Sequence, residues 1–125
     1  MSPRANTPRP PDPARLDRMF HALADASRRG MVDRLSEGPA SVSELARPLA
    51  MALPSVVKHL AVLESGGIVI SEKTGRVRTY RIAPDALGVV ESWVAERKAK
   101  WNRQFDALER YLLAQADDPA EGNAP

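Results

Sequence analysis

Two short stretches carry most of the polar chemistry this sequence can offer. Ser55, Lys58 and His59 stand close together beside Val57 and just after Pro54, and Arg76 and Arg78 flank Val77. Hydroxyl, ammonium, imidazole and guanidinium groups so spaced supply hydrogen-bond donors and positive charge to anionic oxygens. They do not add up to a catalytic site. The carboxylates are scattered, there is no glycine-rich phosphate loop, and no Ser/His/Asp constellation falls on elements that would meet, so no enzyme is expected. The chain has no cysteine and only two histidines, His21 and His59. That excludes a disulfide framework, a thiolate zinc site and thiol redox sensing, and no metal or other cofactor is expected.

With 125 residues, 43% of them hydrophobic and 27% charged, the chain suits one soluble domain of ordinary composition. No apolar run approaches the ~20 residues that span a bilayer, and none follows the N-terminal arginines, so a cytoplasmic protein without a membrane partner is expected. The net charge is +2, but it is unevenly spread. Residues 41–82 hold six lysines and arginines against three glutamates, while 115–125 hold three acids and no base. Five of the eleven prolines lie in the first thirteen residues. Residues 1–12 therefore read as a disordered arm, 13–114 as the folded domain and 115–125 as a disordered acidic tail.

Several elements must position the polar groups. Asp12-Pro13 opens a helix in which Leu16, Met19, Phe20 and Leu23 form an apolar stripe that includes His21. Asp25 caps a second helix to about Ser36, burying Met31, Val32 and Leu35. Ser41 and Glu44 form a capping box for a third helix, which Pro48 must shorten or kink. A fourth covers 53–65, with Leu53, Val56, Leu60 and Leu63 inward, Ser55, Lys58 and Val62 outward, and Val57 and His59 at the margins. Residues 68–73 and 76–82 read as a hairpin around Thr74-Gly75, with Ile68, Ile70, Tyr80 and Ile82 packed and Lys73, Arg76 and Arg78 toward the tip. A long helix runs from about Asp85 to Ala114.

The fold class expected is mainly α with a small β-hairpin, a winged helix-turn-helix that dimerises through its first and last helices. In such a unit helix 53–65 enters the major groove of double-stranded DNA and the wing 68–82 lies along the phosphates or the adjacent minor groove. The expected DNA-binding residues are Ser41, Ser43, Pro54, Ser55, Val57, Lys58, His59, Arg76 and Arg78. The expected dimer residues are Leu16, Met19, Phe20, Trp93, Trp101, Phe105, Leu108 and Leu112. The alternative is a winged-helix module that uses the same surface for a protein partner. The basic wing tip favours DNA.

ALADASRRGMVDRL (22–35), SVSELARPLAM (41–51), LPSVVKHLAVLESGGIV (53–69) and TGRVRTYRI (74–82) together resemble the ArsR-type (arsenic-repressor) family of winged-helix transcriptional repressors. The resemblance implies a homodimer that binds a palindromic operator and leaves when a ligand, in many relatives a metal or metalloid, binds. It also implies where the ligand would sit: on a cysteine pair in the helix before the recognition helix, or on Asp/His pairs of the last helix. Here the first place reads Glu44-Leu45-Ala46-Arg47 and the last helix has no histidine. Either no effector or an unknown organic one is expected. Ala52 and Val57 stand where relatives often carry serines, which alters the expected operator without removing DNA binding.

Overall fold

The computed structural model describes residues 12–116. The elements are α1 (Pro13–Leu23), α2 (Ala26–Leu35), β1 (Ala40–Ser41), α3 (Val42–Leu49), α4 (Leu53–Ser65), β2 (Val69–Thr74), β3 (Val77–Ile82) and α5 (Gly88–Ala116). The arm and tail expected at the two ends lie outside the described residues, apart from Asp12, which caps α1, and Gln115 and Ala116, which continue α5.

Local chemistry sets the helix ends. The carboxylate of Asp12 accepts from the Ala14 N–H at 3.1 Å, and that of Asp25 accepts from the Arg28 N–H at 3.0 Å, each satisfying a donor left over in a first helical turn. The Ser41/Glu44 box is complete: the Ser41 N–H donates to Glu44 Oε1 at 2.9 Å and the Glu44 N–H to Ser41 Oγ at 3.3 Å. Pro48, which has no N–H to give, is followed by one more helical residue, and Ala50 then turns left-handed at φ 49. α4 starts on Ala52 without a side-chain cap. It ends in a Schellman motif: Gly67 is left-handed at φ 76, its N–H reaches Glu64 O, and the Ile68 N–H reaches Leu63 O, both at 3.0 Å.

The sheet has three antiparallel strands in the order β1-β3-β2, one more than the expected hairpin. Two residues, Ala40 and Ser41, pair with Tyr80 and Thr79, a strand too short to leave an alternating pattern in the sequence. In the hairpin Val69 faces Ile82, and Thr74 faces Val77 across a Gly75-Arg76 loop in which Gly75 takes φ 65 at the position a type II′ turn reserves for glycine. Opposed residues share a face, so Val69 and Ser71 lie with Tyr80 and Ile82, while Ile70 pairs with Arg81 on the other face. This corrects the expected place of Ile70: buried Val69 takes the inward position and Ile70 is half-buried.

Among the described residues, those up to Val90 form one compact unit and those from Glu91 a second. The first is built around Met19, Met31, Leu45, Val56, Leu60, Leu63, Ile68 and Val69, all fully buried. Two further expectations are corrected here. Leu53 is 50% exposed, because α4 turns Val56, Leu60 and Leu63 inward. Met19 is fully buried within its own chain, so it has no surface for a partner, while Phe20 faces outward. Gly66 is buried where α4 meets α1: a Cβ there would stand 3.0 Å from both Ala22 Cβ and Arg18 O. α5 begins at Gly88 rather than Asp85, after turns in which Ala86 N–H bonds Ala83 O and Gly88 N–H bonds Asp85 O. Val89 and Val90 pack on the core, and the rest of α5 has no buried residue.

Leu60→Ala empties a fully enclosed site and is expected to cost about 2–5 kcal/mol in a urea unfolding curve, with the midpoint lowered and the slope unchanged.

Candidate nucleic-acid interface

The core decides which side of α4 faces out. With Val56, Leu60 and Leu63 inward, Pro54, Ser55, Val57 and Lys58 are exposed together on the N-terminal half of the helix. Ser43, near the start of α3, is exposed as well, whereas Ser41 is half-buried and engaged in the α3 cap. Three of the wing's cations lie toward its tip. Arg76 sits in the hairpin loop, and Lys73 and Arg78 are direct cross-strand partners on one face. Like charges so opposed repel, and an anion between them would relieve the repulsion. Arg78 is also steered: its Nη1 donates to Ser71 Oγ at 2.8 Å, and Ser71 Oγ donates to Glu64 Oε2 at 3.0 Å, which ties the wing guanidinium to the C-terminal end of α4.

His59 does not share the outward face. Its side chain is 23% exposed and directs Nδ1 to Arg28 Nη1 at 3.3 Å, with Asp25 Oδ2 at 3.9 Å. His21, read above as part of the α1 stripe, is exposed and lines an open groove of about 540 Å³ with Asp17, Arg18, Ala61, Val62, Ser65 and Gly66. The residues that sequence reasoning missed are Arg28, Ser71 and Glu64. Each acts through a side-chain contact between distant elements, which periodicity does not register.

Of the expected dimer residues, Trp101, Phe105, Leu108 and Leu112 lie on α5 and are all more than half exposed, Phe105 the most at 67%. Their spacing of four, three and four residues is that of a coiled-coil seam. Trp93 is half-buried and carries the Arg97 guanidinium 4.7 Å above its ring, a cation–π pair within one helix turn. On α1, Leu16 is half-buried and Phe20 exposed.

A helix-turn-helix domain model matches residues 23–72. The HTH-type transcriptional regulator Rv2034 of Mycobacterium tuberculosis is 34% identical over 102 residues, covering 82% of this chain and 92% of its own length. A crystal structure of an ArsR family transcriptional regulator is 48% identical, covers 73% of this chain and 94% of its own, and superposes with a TM-score of 0.69. This chain belongs to the ArsR family of transcriptional regulators. The homodimeric winged helix-turn-helix DNA-binding domain of a possible ArsR-family regulator from Mycobacterium bovis, solved in solution, is similar at 26% identity and a TM-score of 0.56, covering 73% of this chain and 82% of its own. The chain is thus a DNA-binding transcriptional regulator, in a family of regulators rather than enzymes.

The metal that many members of the family sense does not fit the residues present. Where relatives carry a cysteine pair, Leu45 and Ala46 are buried in the core and the Glu44 carboxylate is taken by the Ser41 N–H. Among the described residues no three His, Cys, Asp or Glu side chains gather where they could hold an ion.

The carboxylates of Asp25 and Glu44 are stabilised in their charged form. The Arg28 N–H holds Asp25 below the usual carboxylate range, aided by the Arg28 charge, and the Ser41 backbone and hydroxyl do the same for Glu44. A carboxyl depressed on folding contributes stability above its unfolded pKa and loses it as the pH falls through the folded value. Glu44→Gln is therefore expected to lower the melting temperature at neutral pH and to flatten its decline below about pH 4, as followed by circular dichroism across that range.

Proposed function

We propose that the chain acts as a cytoplasmic homodimeric repressor that binds a palindromic operator, inserting α4 into the major groove and laying the β2–β3 wing on the phosphates. The observation that carries this reading is the pairing of one exposed α4 edge, Ser55, Val57 and Lys58, with a wing whose Lys73 and Arg78 face each other and whose loop holds Arg76. The roles divide by chemistry. Lys58 and the wing cations neutralise phosphates, Ser55 hydrogen-bonds a base edge or a phosphate, and Val57 offers an apolar contact for a thymine methyl. Pro54 adjoins Ser55 on that edge, and Ser43 is exposed near the start of α3.

The α5 seam supports the dimer, since Trp101, Phe105, Leu108 and Leu112 otherwise leave a continuous apolar stripe in water. Two-fold symmetry then places the recognition helices about 34 Å apart, one turn of the duplex. Leu16 and Phe20 of α1 add to the partner surface, and Met19 does not. Release by a metal forms no part of this reading; an organic effector, or none, is consistent with the residues at the family's metal positions. The protein-partner alternative would need an apolar or acidic wing tip, and Arg76 there favours DNA.

The direct test is selection of bound duplexes from fragments of the source genome. Enrichment of a two-fold-related sequence supports the reading, and salt-insensitive binding to every fragment counters it. Lys58→Ala is expected to keep the wild-type melting temperature, to weaken operator binding and to reduce the slope of log affinity against log salt by about 0.9 for its lost phosphate. Phe105→Asp together with Leu108→Asp is expected to give a folded monomer by analytical ultracentrifugation, with operator binding lost along with the dimer.

A further inference from the structure

Burial of Val56, Leu60 and Leu63 on one side fixes which face of α4 is inward, but the N-terminal end that carries Ser55 and Lys58 has neither a capping side chain nor a buried Leu53 to hold it closely. The polar tie at its midpoint is Arg28. The Nε of Arg28 donates to Ala22 O at 2.7 Å and its Nη2 to His21 O at 2.9 Å, so the guanidinium sits on carbonyls at the C-terminal end of α1, where the helix dipole is negative. The remaining arm, Nη1, meets His59 Nδ1 at 3.3 Å. A guanidinium can only donate, so Nδ1 is the acceptor and the neutral ring carries its proton on Nε2. Asp25, whose carboxylate accepts from the Arg28 backbone N–H, stands 3.9 Å from the same Nδ1.

We propose that His59 is a positioning residue of the DNA-binding surface: through Arg28 it pins the rotation of α4 to the α1–α2 corner, and it does not itself contact DNA. Ser55 lies one helical turn before His59 and Lys58 directly before it, so a rotation of α4 that broke the tie would carry both away from their outward positions. The inference rests on the DNA-binding reading for its consequence but not for the tie itself, and the two can be tested apart.

Asparagine places an amide oxygen near the position of Nδ1, whereas glutamine reaches the position of Nε2. For the full-length chain and a duplex selected by the wild type, His59→Asn is expected to bind nearly as the wild type does. His59→Gln is expected to lose about ten-fold in affinity, the scale of one hydrogen bond to a charged group, at an unchanged salt slope. The reverse order, with glutamine preserving binding and asparagine losing affinity, would identify a contact to DNA through Nε2 and overturn the proposal. Equal losses in both variants would overturn it too. A nitrogen-15 spectrum of the imidazole reads the tie without DNA. The wild type is expected to show the Nε2–H tautomer with a hydrogen-bonded Nδ1, and Arg28→Lys to abolish that signature. A wild-type ring protonated on Nδ1, or one indifferent to Arg28→Lys, sinks the proposal whether or not a duplex has been found. If no duplex is selected while the signature is present, the DNA-binding reading fails and with it the positioning role.

Discussion

The recognition helix has two obligations, and the architecture follows from meeting both. α4 is thirteen residues long and must bury Val56, Leu60 and Leu63 while leaving the opposite edge polar and exposed. Burying a large aliphatic side chain is worth about 1.5–3 kcal/mol, so the inner face is strongly determined. α1, α2, α3 and the sheet supply the surface that receives it. The close approach of α1 at Gly66 shows how little room is left: a side chain there would meet the backbone of Arg18. The outer face gains nothing from the core, so the exposed Ala52 and Val57 are free to vary in chemistry without loss of the fold.

Much of this was legible in the chain. The caps at Asp12, Asp25 and Ser41/Glu44 and the glycines after α4 act through neighbours a few residues away, so their roles follow from short spacings. Ile70 and Leu53 were misplaced for one reason: in a mixed apolar run such as Ile68-Val69-Ile70, or at a helix start without a capping side chain, hydrophobicity alone does not choose a face. There the strand register and the capping geometry decide. β1 was missed because two residues give no period. On α1, Met19 and Phe20 are adjacent apolar residues of a stripe wider than the core accepts, and only packing assigns one inward and the other outward.

The candidate site was legible in its charges and less so in its connections. Lys58 lies on α4 and Arg76 and Arg78 on the wing, as the sequence assigned them, but the side-chain bonds around them run between residues far apart in sequence. Arg28 reaches from α2 to α4, and Glu64 reaches through Ser71 to Arg78. The absence of cysteine narrowed function further than any motif. Together with the burial of Leu45 and Ala46, it leaves no thiolate metal site at 44–47.

The opposition of Lys73 and Arg78 across the hairpin bears on how salt acts on this regulator. Surface charges repel one another over about a Debye length, ~10 Å at 0.1 M salt, so added ions relax the free wing. The same ions weaken its attraction to phosphate. In the proposed complex a phosphate set between the two cations would offset that repulsion, so the wing's share of the salt dependence belongs to the pair and not to either residue alone.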